Sequence, residues 1–266
     1  MKRSLVSYIV LVVVCILFFS FLVTREDNVH HTSADLNSFA ENTSDTIQAM
    51  LFYHASDYFV YHGAIIGFQY DMLKQMAADL GKKIFITVEN DPEYVFYTSF
   101  LNEYDLVTMD INKQAPFATY LRYSVPHSFS YPILISNKET QINDTFPNVV
   151  YVPSQFPVDI DLESLNPHVK WKVVQASHVS TEDLFEMLDR KEVDFIVSDY
   201  NLAVTLLPFY PQFENLGRVG EDFGRTWVLN TNNKTLNAAI DTWLKDFKCT
   251  KKYQALCRRY HTETAA

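Results

Sequence analysis

The chain has 266 residues, enough for one large domain or two modest ones, with 48% hydrophobic and 20% charged residues, an ordinary globular balance. Its formal net charge of -10 disfavours nucleic acid and anionic lipid as partners, since both would need a basic face. Glycine is scarce at 6 residues, which argues against Gly-rich phosphate loops, and aromatic residues reach 15%.

Lys2 and Arg3 precede an uncharged run from Ser4 to Val23, followed by Arg25, Glu26 and Asp27. Roughly 20 apolar residues in a helix span a bilayer core, and positive charge before them keeps the N-terminus cytoplasmic. Residues 1–23 are therefore expected to be a transmembrane anchor. A cleaved signal peptide is the competing reading, disfavoured because the run ends Phe18-Phe19-Ser20-Phe21-Leu22-Val23 and not in small residues. On either reading the rest of the chain is exported. Residues 24–45 are polar and aperiodic, with His30-His31 among them, and read as a tether.

From Thr46 strand and helix signals alternate. Ile47 to Phe52 reads as a strand, and Phe68 to Leu80 as a helix with Phe68, Met72, Leu73, Met76 and Ala77 on one face, stopped at Gly81. Lys83 to Val88 alternates as a strand, Pro92 to Asn102 as a short helix, and Asp105 to Met109 as a buried strand. Val149 to Val152 opens a second series. In it Ser180-Thr181-Glu182-Asp183 has capping chemistry ahead of Leu184, Phe185 and Leu188, and Val193 to Ser198 is a strand ending at Asp199. Leu236, Ile240, Trp243, Leu244 and Phe247, then Tyr253, Leu256 and Tyr260, mark two closing helices. Two strand–helix series in one chain imply two α/β lobes.

The chemistry-bearing residues form no recognisable catalytic set: HExxH, GxSxG and Walker patterns are all missing from the sequence, and the 8 His residues are scattered. No cofactor, no metal and no enzyme activity are expected. Cys15 falls in the apolar run, leaving Cys249 and Cys257 either as a disulfide, which an exported chain allows, or as two buried thiols.

The segment Gly67-Phe68-Gln69-Tyr70-Asp71-Met72-Leu73, leading to Leu80-Gly81, resembles the opening signature of the family-3 periplasmic solute-binding proteins. Asp105 to Met109, Tyr123-Ser124-Val125-Pro126-His127, Lys191 to Asp199 and the closing helices follow in that family's order. Trp171-Lys172-Val173 and Arg225-Thr226-Trp227 look most like the binding domain of F-type membrane-bound lytic murein transglycosylases. Those proteins carry a further lysozyme-like catalytic domain, which is not expected in a chain read as ending at Ala266. The resemblance implies an α/β, two-lobed periplasmic-binding-protein-like fold (type II), each lobe a mixed sheet covered by helices, behind the N-terminal transmembrane helix. Lobe 1 would run over 46–135 and return over 221–262 with the C-terminal helices, and lobe 2 would run over 136–220.

The resemblance also implies a ligand cleft between the lobes. Tyr53 or Tyr58 would supply the aromatic that lies against the ligand, Asp199 the acid that accepts an ammonium, and Ser154 and Gln155 the donors of the second lobe. The family's carboxylate-clamping pattern falls on Asp110, Asn112 and, in place of its Arg, Phe117. A guanidinium fork is not replaced by Phe. Asp110 and Asp199 facing each other would then favour a cationic or hydroxyl-rich ligand. The expected role is to sense or capture a small polar solute, amino-acid-like or a cell-wall fragment, on the periplasmic side of the inner membrane. That membrane is met through the N-terminal helix, with a transporter or cell-wall protein as a further partner. The alternatives are an interaction platform with a degenerate cleft, and a cell-wall-associated enzyme component.

Overall fold

Strand β1 (Thr46–Phe52) lies inside its sheet, so both of its faces are covered: Ile47, Ala49 and Leu51 point to one core and Met50 to another, all at most 1% exposed. The computed structural model in which this is seen describes residues 45–260, apart from 112, 114, 115 and 155. The anchor and most of the tether expected from the sequence lie outside the described residues. Among those described, no helix is long and apolar enough to cross a membrane.

A short hairpin, β2 (Phe59–Tyr61) and β3 (Ala64–Ile66), leads to helix α1 (Phe68–Asp79). Strand β4 (Lys83–Glu89) pairs parallel to β1, with Thr46 opposite Lys83. Helix α2 (Pro92–Leu101) starts where the sequence predicts, because Asp91 accepts hydrogen bonds from the N–H groups of Glu93 and Tyr94 and Pro92 needs no donor of its own. Strand β5 (Leu106–Thr108) returns parallel to β1. Then come β6 (Arg122–Tyr123), β7 (Ser128–Ser130) and β8 (Pro132–Asn137).

The second series follows: β9 (Asn148–Pro153), β10 (Trp171–Ala176), α3 (Thr181–Asp189), β11 (Phe195–Asp199), α4 (Tyr200–Leu206) and β12 (Phe213–Arg218). The expected cap of α3 is a full capping box, Ser180 Oγ accepting from the Asp183 N–H while the Asp183 carboxylate accepts from the Ser180 N–H. The chain closes through β13 (Phe223–Arg225), β14 (Val228–Leu229), α5 (Lys234–Lys248) and α6 (Lys251–Tyr260).

Two five-stranded sheets result, ordered β4-β1-β5-β14-β6 and β10-β9-β11-β8-β12. Each is mixed, three parallel strands being extended by antiparallel ones. The antiparallel pair β7–β13 carries the chain between them in both directions, with Arg225 opposite Ser128. In the first lobe α1, α5 and α6 bury Phe68, Met72, Trp227, Ile240 and Leu244 against one sheet face, and α2 covers the other with Val95 over Met50 and Val107. In the second, α3 and α4 cover Ile133, Ile135 and Ile196, while Phe156, Leu162 and Val219 cover Leu134, Val150 and Val197.

The disulfide alternative is corrected here, since both cysteines are free thiols. Cys249 is exposed at the end of α5, where its thiol donates to the Lys245 carbonyl. Cys257 is buried on the inner face of α6 with Tyr253 and Tyr260. One closes a helix and the other faces the core, so each has a separate local role.

Candidate functional site: the cleft between the sheets

The carboxyl ends of β1, β5, β9 and β11 converge on one cleft, lined by Phe52, Thr108, Pro153 and Asp199 from those strand ends. This is where open α/β sheets place ligands, because strand ends leave side chains and loop amides directed outward. Counted out to its open mouth, solvent space included, the cleft holds about 730 Å³.

The loop after β1 supplies His54 and Asp57, and its shape depends on Gly67. The Phe68 N–H donates to the Ser56 carbonyl and the Tyr70 N–H to that of Asp57, so the loop lies directly on the start of α1. Gly67 has φ of +149°, and a Cβ there would fall 2.2 Å from the Asp57 carbonyl oxygen. Only glycine permits that approach.

A ladder of charges crosses the cleft from one lobe to the other. Arg225, 4% exposed on β13, donates through Nε to Asp110 Oδ2 and through Nη2 to Asp57 Oδ2, each at 2.6 Å. Asp57 Oδ2 lies 3.5 Å from His54 Nδ1, which is also 2.9 Å from Ser56 Oγ. His54 Nε2 faces Asp199 Oδ2 at 3.4 Å, and Asp199 Oδ1 accepts from Ser130 Oγ and from the Leu202 N–H at the start of α4. Beside this ladder Glu182 Oε1 accepts from the Ala55 N–H at 2.6 Å, a second polar tie between the lobes.

These contacts set the protonation states. Burial by itself lowers the His54 pKa, but the Asp199 hydrogen bond and the charges of Asp57, Glu182 and Asp199 outweigh it, raising it from 6.5 to about 9. His54 is therefore an imidazolium at neutral pH, with both ring N–H groups directed at acceptors. Asp199 responds in the opposite sense: burial raises it, yet the His54 hydrogen bond, the charges of His54 and Arg225 and the Leu202 N–H bring it from 3.8 down to about 2. Burial, with Asp57 and Asp199 nearby, raises the Asp110 carboxyl against the pull of Arg225. Arg225 is held charged, the surrounding carboxylates overcoming the cost of its burial.

His127 shows the contrasting case behind the cleft. The Trp227 indole N–H occupies Gln69 Oε1 at 2.7 Å, so the Gln69 amide donates to His127 Nε2 at 3.0 Å. An accepting ring nitrogen means a neutral ring. Burial, reinforced by Arg225, Lys248 and Lys113, lowers its pKa well below 6.5.

Of the residues expected from the sequence, Asp110, Ser154 and Asp199 line the cleft. The Ser154 hydroxyl oxygen is buried and has no hydrogen-bond partner among the described residues. Asn112 and Gln155 lie outside the described residues. Tyr53 and Tyr58 are not among the lining residues: Tyr58 packs edge-on against Tyr53 and Tyr70, supporting the His54 loop from behind. Phe117 packs edge-on against Phe96 with ring centroids 5.0 Å apart and also stays out of the cleft.

A guanidinium is present nonetheless, contributed by Arg225 on the returning strand instead of by the loop after β5. Sequence reasoning missed Arg225, His54, Asp57 and Glu182. An arginine in the otherwise uncharged run Phe223 to Asn230, and the His54-Ala55-Ser56-Asp57 loop directly after a buried strand, were the available signals.

Comparison with known proteins agrees with this architecture. The family model for bacterial extracellular solute-binding proteins, family 3, matches residues 53–263. Membrane-bound lytic murein transglycosylase F of Desulfosudis oleivorans is 20% identical over 214 residues, which cover 79% of this chain and 47% of that protein. The chain thus spans about half the length of this curated relative. Among solved structures, an ancestral arginine-binding protein bound to arginine superposes with a TM-score of 0.65 at 18% identity, covering 82% of this chain and 99% of that one. Holo ArgBP from T. maritima gives 0.61 at 18% identity, covering 82% and 96%. The ancestral amino acid-binding protein AncCDT-1, a precursor of cyclohexadienyl dehydratase, gives 0.64 at 15% identity, covering 81% and 95%. At these identities the structural likeness establishes the fold.

Proposed function

Because the chain belongs to the bacterial extracellular solute-binding proteins, family 3, we propose that it captures or senses a small polar solute, amino-acid-like or derived from the cell wall, in the cleft between its two sheets. The carrying observation is that polar groups of both lobes converge on one space: Asp57 and Asp110 from the first, Ser154, Glu182 and Asp199 from the second, and Arg225 from the crossing strand. Asp110, Ser154 and Asp199 are the proposed ligand contacts, together with Asn112 and Gln155, which stand close to Asp110 and Ser154 in the sequence. Closing and opening would turn on the crossing strands β7 and β13, which lie close to the proposed lobe limits of 46–135, 136–220 and 221–262.

Binding, with no chemistry of its own, is the role proposed. The family match and the arginine- and amino-acid-binding neighbours support it. With residues 1–23 as a single-pass anchor, the cleft would work at the periplasmic face of the inner membrane, tethered near whatever protein reads its state.

A thermal-shift screen with amino acids, muropeptides and polyamines tests this. A ligand at 100 times its Kd stabilises the native state by about 2.7 kcal/mol, which raises Tm by roughly 5–10 °C for a domain of this size. Flat melting curves with every compound would overturn it.

A further inference from the structure

The charges around the cleft go further, to the class of solute, and this step rests on the solute-binding reading above. Four carboxylates line the cleft, those of Asp57, Asp110, Glu182 and Asp199, against two cations, Arg225 and the His54 imidazolium. Two minus four leaves an excess of two negative charges. Both cations are also occupied. Arg225 presents Nε to Asp110 and Nη2 to Asp57, while His54 directs one ring nitrogen at Ser56 and Asp57 and the other at Asp199. Lys113 is turned away, its Nζ donating to the Gly224 carbonyl and lying over the Tyr123 ring. No other Lys or Arg lines the cleft among the described residues.

An incoming carboxylate would therefore meet, among the described residues, only cations that already hold carboxylates, and would have to share or break a buried ion pair or lie beside like charge. Both are costly where water is excluded. An ammonium or guanidinium meets the opposite situation. Asp199 Oδ2 holds the His54 ring at 3.4 Å, long for a charge-assisted bond, so a closer cationic donor can take over that carboxylate while His54 keeps its contacts to Asp57 and Ser56. Glu182 adds a carboxylate at the same rim, and the Ser154 hydroxyl, buried without a partner among the described residues, is a neutral group placed to accept or donate.

We infer that the cleft selects organic amines and guanidines that carry no free carboxylate, discriminating against the corresponding zwitterionic amino acids. His54 acts as a built-in placeholder for the cationic group of the solute.

Isothermal titration of the full chain in detergent at pH 7.5 with arginine, argininamide and 4-aminobutylguanidine tests this, because the three differ chiefly at the carboxylate. The expected result is at least tenfold tighter binding of the two carboxylate-free probes than of arginine. Glu182→Gln, which is not a helix cap, should weaken those probes about tenfold. Asp110→Asn releases one edge of Arg225 and should narrow the ratio in favour of arginine, a gain that mere loss of folding cannot mimic. Arginine binding as tightly as argininamide would overturn the inference, as would an acidic or zwitterionic solute binding where both cationic probes fail. Either result leaves the solute-binding reading in place. No heat from these probes, together with no thermal shift from any solute in the wider screen, would overturn both.

Discussion

The His54 bridge makes the stability of this protein depend on pH in a direction unusual for a neutral-pH fold. His54 is raised from 6.5 to about 9 by Asp199, Asp57 and Glu182 against the cost of its burial, and its side chain is 12% exposed, so solvent screening is slight. A group raised on folding contributes stability that is fully present below its unfolded pKa and is lost as pH rises through its folded one. The window therefore runs from about 6.5 to about 9. At about 1.4 kcal/mol per pH unit the interval corresponds to about 3 kcal/mol.

Urea denaturation followed by fluorescence of Trp171, Trp227 and Trp243 at several pH values between 6 and 10 should show the midpoint of the unmodified protein falling by roughly 1 M relative to His54→Gln. At pH 6 the variant should be less stable by about 2–3 kcal/mol, because Asp57 and Asp199 then face each other without the imidazolium. Above pH 9 the two proteins should converge. Taking the difference between them cancels other groups that titrate in the same range. A difference that stays constant from pH 6 to pH 10 would refute the assignment of His54 as the charged bridge.

Other consequences are as specific. Acid should expose the opposite end of the bridge: Asp199, lowered to about 2, contributes stability present above pH 3.8 and lost as pH falls through about 2, visible as a loss of the Asp199→Asn difference in the same denaturation series. Arg225→Met leaves Asp57 and Asp110 buried without their counter-ion and should cost about 3–5 kcal/mol in chemical denaturation. Gly67→Ala drives a Cβ into the Asp57 carbonyl and should cost about 3 kcal/mol or more, seen as a lowered Tm, since the contacted atom is backbone and cannot swing aside. A thiol reagent should label Cys249 at once in the folded protein and Cys257 only after denaturant is added; protection of both would contradict their assignment as an exposed and a buried free thiol.

Much of the fold was legible because it depends on local chemistry. The helix faces of α1 and α5, the caps at Asp91 and Ser180 and the uninterrupted burial of β11 are set by residues within a few positions of one another. The short strands β6, β7, β13 and β14 were not legible, since two or three residues hold no period and their partners lie about a hundred positions away. The candidate site divides along the same line. Asp199 and Asp110 were accessible from motif order because each ends or closely follows a central strand of its own lobe.

What the sequence determined by itself was therefore the two-lobed α/β architecture and the strand ends on which a site would be built. Only the tertiary structure decided the cleft's electrostatics. It placed Arg225, 115 positions from Asp110 and 168 from Asp57, between them, and brought His54 across to Asp199. The physical reason is that helix faces, caps and strands follow from near neighbours, whereas ion pairs join groups whose approach depends on the crossing of β7 and β13 and on a glycine that lets one loop rest on a helix end. Phe117 marked the place where a guanidinium was missing from its loop; the fold supplied one from the returning strand and committed it to two carboxylates.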